Sequence, residues 1–341
     1  MRIPIRNVYY LFCYAWNRYE EGQSVDLGEV EPSRLQDLLG HVLTAAVSRI
    51  IRRGLHRDYV AERDDVRGVR GKIVMSGTVK RLLLVSGGTH CEYDELQYDV
   101  PHNQIIKSTL GMLLALDDLD RDVRQGVRQL RSRLAAVREV RISPELFRSV
   151  RIDRNNQQYG FVLAVCRLLY ECLFVDKRTG DVRFKDPRRD AFKMWQLFQD
   201  FVLNFYRREQ PTFSVSAPII HWRGARASEH DLRYLPDMLT DVVLRGRDRT
   251  IIIDTKFYRD PLHSRFGRKR LRSEHVYQLF SYLENWEAAT SAAVEGILLY
   301  PCVQESFCFE YVLNGHRLRA ATLDLAQPWQ QIHNDMLALL S

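Results

Sequence analysis

Leu235-Pro-Asp-Met-Leu-Thr-Asp-Val-Val-Leu-Arg-Gly-Arg-Asp-Arg-Thr-Ile-Ile-Ile-Asp-Thr-Lys-Phe-Tyr-Arg259 is the stretch from which the fold of this chain is read. Residues 241–245 have strand character, 246–249 make a polar turn, and 250–257 form a strand rich in β-branched residues. Two strands joined by so short a connection form an antiparallel hairpin. With the turn centred between Arg247 and Asp248, residues pair when their numbers total 495, so Asp241 faces Asp254. Facing side chains on a hairpin have Cβ atoms about 4.5–5.5 Å apart. Lys256 lies two residues beyond Asp254 and shares its face, because strand side chains alternate. One patch of the hairpin thus gathers two carboxylates and one ammonium.

Two facing carboxylates repel unless something positive sits between them. A hard divalent cation fits: Mg²⁺ takes oxygen ligands, commonly one or two carboxylates with waters and a substrate phosphate. The expected ligands are Asp241, Asp254 and the backbone carbonyl of Thr255, with Lys256 orienting a water or offsetting charge on a phosphate. An ordinary salt-bridged hairpin carries the same D-x-K triplet, so the neighbouring sequence has to decide. Downstream, Gln278 and Tyr282 stand four apart, on one face of a predicted helix. They are candidates to hold the phosphate backbone or to support the metal ligands. Between hairpin and helix, residues 257–272 carry Arg259, Arg265, Arg268, Lys269, Arg270 and Arg272 against one acid, Asp260. The expectation there is a flexible basic loop, with Arg268, Lys269 and Arg270 as phosphate contacts. A buried strand is predicted at residues 296–301, and a helix with Trp195, Phe198, Gln199, Val202 and Phe205 precedes the hairpin. The resulting order is helix, hairpin, helix, strand.

The first half reads differently. Val8, Leu11, Phe12, Ala15 and Trp16 fall at helical spacing, with Asn7 as a possible N-cap. A second helix runs through Leu39, Val42, Leu43, Ala46, Val47 and Ile50, ending near Gly54. Glycines recur between residues 58 and 100, where 72–75 and 81–85 look like short strands. Helices return at residues 103–116 and 120–137. The second of these places Arg124, Arg128 and Arg131 on one face, which reads as a solvated surface or a nucleic-acid contact. Residues 148–158 look like a linker, giving an expected division into residues 1–158 and 159–341.

Composition narrows the choices. There are 50 basic and 43 acidic residues, a formal net charge of +7, which suits a polyanionic partner. The six cysteines form no C-x-x-C pair and are expected as reduced thiols. No run approaches the roughly 20 apolar residues of a membrane span, and no signal peptide is evident, so a cytoplasmic protein without membrane contact is expected. Gly71-Lys72 is followed by Ile73, so the phosphate-binding G-x-x-x-x-G-K-[ST] is missing, as are H-E-x-x-H and G-x-S-x-G.

With these residues in view, the chain resembles the McrC family, the nuclease subunits of McrBC modification-dependent restriction systems. The likeness runs through Ile3-Pro-Ile-Arg-Asn-Val-Tyr-Tyr10, Tyr14-Ala-Trp16, residues 48–55, Gly68-Val-Arg-Gly-Lys72 and Asn103-Gln-Ile-Ile-Lys-Ser-Thr-Leu110. It continues in Asp241, Ile253-Asp-Thr-Lys-Phe-Tyr258, Tyr277-Gln-Leu279 and Leu299-Tyr-Pro301. The resemblance implies an α/β (α+β) chain whose C-terminal half is a PD-(D/E)xK, RecB-like nuclease domain cleaving modified-cytosine DNA with Mg²⁺. It implies a mixed helical and β-rich N-terminal half that docks on an AAA+ GTPase ring of the McrB type and stimulates it. GTP and the modified cytosine are then bound by that partner, and the glycine-rich β section is a candidate for the docking element. Folds of this type often add an acid from the helix before the hairpin, where this chain offers Gln199, with Asp200 and Glu209 nearby. The literal Pro236-Asp237 departs from the pattern, because Asp241 is the acid that faces Asp254. A non-cleaving scaffold or GTPase activator, and a stand-alone RecB-like nuclease, remain alternative readings.

Overall fold

A computed structural model describes residues 3–25, 34–175, 181–258, 260–265, 268–286, 293–302 and 306–341. The chain forms two compact units, one of Val25–Lys185 and one of Met1–Ser24 together with Asp186–Ser341. The division therefore does not follow the expected break at 158/159. Helix α1 (Ile5–Ala15) belongs to the second unit. Asn7 is not its N-cap; Pro4 holds that position with φ −53°, and Asn7 lies inside the helix. Its buried amide donates to the carbonyls of Leu325 and Gln327, both at 2.8 Å.

In the first unit, α2 (Leu35–Arg53) ends as expected at Gly54, whose φ of 104° suits a residue without Cβ. Strands β1 (Asp58–Arg67) and β2 (Gly88–Gln97) pair as a long antiparallel ribbon, Asp58 opposite Gln97 and Arg67 opposite Gly88. The strand expected at 81–85 is absent: Met75–Lys80 is helical, Leu83–Ser86 is a 3₁₀ turn, and only Lys72–Ile73 adds to β2. The apolar run Leu82-Leu-Leu-Val85 is too short to tell a strand from a turn packed on a ribbon. Helices α3 (Pro101–Leu114), α4 (Arg121–Arg133) and α5 (Tyr159–Cys172) complete the unit. Asp120 caps α4 by accepting from the amides of Asp122 and Val123. Arg124 donates to the carbonyls of Leu114, Leu116 and Asp117, satisfying groups left over where α3 ends.

The supposed linker is held in place. Asn156 is buried and contacts the His102 ring, and the Tyr159 hydroxyl donates to Asn103 at 2.7 Å while accepting from the His56 amide. Polarity suggested a linker there, but these polar groups are satisfied internally, and the apolar α5 packs on α2 and α3.

The second unit continues with α6 (Ala191–Glu209), β3 (Ser214–Ser216), β4 (Val242–Arg245), β5 (Arg249–Thr255), β6 (Leu262–Arg265), β7 (Arg268–Leu271) and α7 (Ser273–Asn285). It ends with β8 (Ala293–Cys302), β9 (Cys308–Leu313), β10 (His316–Asp324) and α8 (Trp329–Ala338). A mixed six-stranded sheet runs β9-β10-β8-β5-β4-β3. β8 lies parallel to both β5 and β10, while β4 pairs antiparallel with β5. Thr250 faces Arg245 and Ile253 faces Val242, which is the register read from the sequence. Ile251, Ile252 and Ile253 are fully buried, as expected of a central strand covered on both faces. Helix α7 covers the face carrying Ile252, Leu298, Tyr300 and Leu318 with Leu279, Tyr282 and Leu283. Tyr14 of α1 packs against Phe201 and Phe205 of α6. Among the described residues, no helix is long and apolar enough to cross a membrane.

Candidate active site

The expected patch forms at the C-terminal end of β5, where strand ends and the following connections commonly build sites in α/β sheets. Asp254, the penultimate residue of β5, is 2% exposed. Asp241 precedes β4 and is also buried; its Oδ2 accepts from both the amide and the hydroxyl of Thr255, each at 2.7 Å. Asp237, the acid of the literal Pro-Asp pair, is exposed and lies outside this arrangement. Lys256 Nζ stands 2.7 Å from Asp254 Oδ2 and donates to Gln278 Oε1 at 2.7 Å. Gln278 Nε2 donates to the Tyr282 hydroxyl, which donates to the carbonyl of Leu239. One connected network therefore joins Asp254, Lys256, Gln278, Tyr282 and the backbone two residues before Asp241. Helical spacing puts Gln278 and Tyr282 on one face of α7, so Gln278 reaches Lys256 while Tyr282 braces Gln278.

Electrostatics follow from burial. The Asp254 carboxyl is pushed up to about 7 by burial, opposed by Lys256 and reinforced by Asp241. Asp241 is also raised by burial, with the Thr255 donors and Lys256 pulling the other way. Apart from the Lys256 ion pair, Asp254 Oδ2 has no hydrogen-bond donor among the described residues. Two buried carboxylates share a single ammonium, so full ionisation leaves one negative charge uncompensated. No third His, Cys, Asp or Glu joins them among the described residues. An all-oxygen pair with one unbalanced charge fits Mg²⁺, which uses few protein carboxylates and completes its shell with water and phosphate.

The remaining candidates fall elsewhere. Gln199 is half-buried on α6, and no contact among the described residues ties it to the carboxylates, although its neighbour Phe198 packs edge-on against Phe257. Arg268, Lys269 and Arg270 are exposed on β7. The stretch expected as a flexible loop is a two-stranded ribbon, Leu262 opposite Leu271 and Arg265 opposite Arg268. Arg259 lies outside the described residues.

Sequence reasoning missed His275 and Tyr300. His275 Nδ1 lies 2.9 Å from the Tyr300 hydroxyl, and the imidazole is pushed down to about 4 by burial and by the Lys256 charge, so it is neutral near pH 7. His275 precedes Gln278 by three and shares its helix face, a signal the sequence contained. Tyr300 becomes a neighbour of Lys256 only once β5 and β8 are known to be parallel, Thr255 beside Leu299.

A mixed sheet with two buried carboxylates and a lysine at the end of its central strand, braced by a Gln and a Tyr from the covering helix, defines an α/β protein with an acidic centre. The chain belongs to the family of McrBC 5-methylcytosine restriction system components, which matches residues 6–301. It is 31% identical to the type IV methyl-directed restriction enzyme EcoKMcrBC of Escherichia coli (strain K12) over 335 residues, 98% of this chain and 96% of that protein. A solved assembly of Thermococcus gammatolerans McrB AAA+ hexamers with bound McrC contains a chain of similar fold. There the TM-score is 0.60 at 17% identity, covering 99% of this chain and 76% of that one.

Proposed function

We propose that this chain is the Mg²⁺-dependent endodeoxyribonuclease subunit of an McrBC-type restriction complex, with a PD-(D/E)xK nuclease centre at Asp241, Asp254 and Lys256. The observation that carries the reading is the buried pair of carboxylates with one ammonium between Asp254 and Gln278. Asp241, Asp254 and the carbonyl of Thr255 would hold the ion. Bound there, Mg²⁺ supplies Lewis acidity, polarising a phosphodiester and lowering the pKa of an attacking water.

The protein's own groups do the rest. Thr255 holds the Asp241 carboxylate through two hydrogen bonds, so its second oxygen is fixed for a ligand. Lys256 is a positive group held within reach of the phosphate, positioned by Gln278 and, through it, by Tyr282. An ammonium so placed offsets charge that develops on the phosphate and orients a water beside it. Arg268, Lys269 and Arg270 add phosphate contacts along the strand.

In this reading the DNA carries modified cytosine, and an AAA+ GTPase of the McrB type supplies both base recognition and GTP. Kinship with the E. coli restriction enzyme supports the substrate, and the fold shared with a chain of the McrB–McrC assembly is in keeping with such a partner. The β1–β2 ribbon is the proposed docking element on the GTPase. Leu82, Leu84 and Val85 are exposed at its end, an apolar patch of the kind that marks a protein contact.

The test compares Asp254→Ala and Lys256→Ala with the unchanged chain, each with an McrB-type GTPase, GTP, Mg²⁺ and 5-methylcytosine DNA. Cleavage is expected to disappear in both while stimulation of GTP hydrolysis survives. Retained cleavage in both variants would end the catalytic assignment. Stimulation by a parent chain that cuts nothing would favour the scaffold reading.

A further inference from the structure

The polar row on α7 extends beyond Gln278. His275, one turn earlier on the same face, is 3% exposed. Its Nδ1 is engaged by the Tyr300 hydroxyl. Its Nε2 is buried and has no hydrogen-bond partner among the described residues. Buried polar atoms are nearly always paired, so an unpaired one calls for an explanation. The surroundings narrow the choice. Lys256 is close enough for its charge to act on the imidazole. The ring touches Tyr258, centroids 4.8 Å apart, and the Arg272 guanidinium lies 4.8 Å over that same Tyr258 ring. Glu274 acts on the imidazole in the opposite sense, and it is paired with Arg272 at 3.9 Å. Flanking cations favour an anion at the vacant valence. Mg²⁺ prefers oxygen ligands, which argues against the metal itself at this nitrogen.

We propose that His275 is a further substrate-binding residue of the centre, its Nε2–H donating to a non-bridging phosphate oxygen of the DNA strand held at Asp241, Asp254 and Lys256. The assignment rests on the nuclease reading above. In this assignment Nδ1 accepts from the Tyr300 hydroxyl, 2.9 Å away, and the single proton of the neutral ring sits on Nε2. The ring edge is thereby aimed without the entropy of a long side chain, and the donor meets a charged acceptor, the stronger class of hydrogen bond.

His275→Phe keeps the ring volume and removes the donor, whereas His275→Gln can place an amide N–H near the Nε2 position. The first measurement is binding of a 5-methylcytosine duplex to the complex in EDTA, where no metal contributes. The second is single-turnover cleavage with Mg²⁺. His275→Phe should weaken binding in EDTA and slow cleavage by about 10- to 100-fold, the worth of one hydrogen bond to a charged group. His275→Gln should recover most of both. If binding in EDTA and cleavage are unchanged in His275→Phe, or if both variants are equally impaired, Nε2 faces a buried water or only packs, and the proposal fails. If His275→Phe does not fold, a His275→Gln chain that binds and cuts like the parent still supports it, and one impaired beyond tenfold overturns it. Asp254→Ala separates the two levels. Loss of cleavage there with a normal His275→Phe sinks only this assignment, while retained cleavage in Asp254→Ala sinks the nuclease reading beneath it.

Discussion

An ionised Asp254 is a burden on the folded chain when no cation is bound. Its carboxyl is held at about 7 against an ordinary 3.8, so the native state keeps a proton that the unfolded chain has released. The sign follows: this group's contribution to stability without metal is greatest at low pH, falls as pH rises from 3.8 through about 7, and then levels off. Asp254→Asn should therefore raise the melting temperature in EDTA near about pH 8 and leave it little changed near about pH 4.5. Adding Mg²⁺ should raise the melting temperature of the parent more at the higher pH and do nothing for the variant. Thermal scans at both values check this, and an increment from Mg²⁺ that survives in Asp254→Asn would remove the residue from the metal site. Tyr282→Phe addresses the brace. It removes the acceptor of Gln278 and the donor to Leu239 at about 1 kcal/mol of stability. Cleavage should fall several-fold, more than that stability loss explains, because Gln278, which holds Lys256, loses its anchor; an unchanged rate would reduce Tyr282 to packing.

At the level of elements, the site depends on how closely α7 lies on the sheet. Gly296 of β8 makes that approach possible: a Cβ there would meet Leu279 and Leu283 at 2.9–3.0 Å. Both leucines are buried among neighbours and have little room to give. Gly296→Val should destabilise the unit by about 1–3 kcal/mol through overpacking. The helix would then be lifted away from Lys256, so DNA cleavage should drop even at temperatures where the variant is fully folded. Denaturant unfolding together with cleavage assays tests both parts. The hairpin β4–β5, by contrast, needs nothing from α7 to set its register. Its period-2 pattern and its polar turn determine which residues face each other. That is why Asp241, Asp254 and Lys256 were legible as one patch.

Across the whole molecule, the first residues of the chain belong with the last. Asn7 bonds to Leu325 and Gln327, Tyr14 donates to Glu209 at 2.8 Å, and α1 packs on α6. Removing residues 1–24 should expose Phe201 and Phe205 and markedly lower the melting temperature of the unit that carries the acidic centre. Asn7→Ala should cost about 1–3 kcal/mol, because one buried and one part-buried carbonyl lose their donor. A truncated chain that melts like the parent would show that α1 contributes little to this unit.

Local chemistry determined a good deal here. Strand alternation put the acids and the amine together, helical spacing paired Gln278 with Tyr282, and Gly54 marked the end of a helix. These readings succeed because each depends on residues within a few positions of one another, where backbone geometry leaves few choices. Tertiary structure decided what long-range contact decides: the unit boundary after Lys185, the pairing of Leu262–Arg265 with Arg268–Leu271 in place of a loop, and Tyr300 beside Lys256. Polarity along the chain cannot tell a solvated stretch from one whose hydrogen bonds are satisfied by distant partners. The parallel pairing of β5 with β8 arises only when α7 has folded back across the sheet.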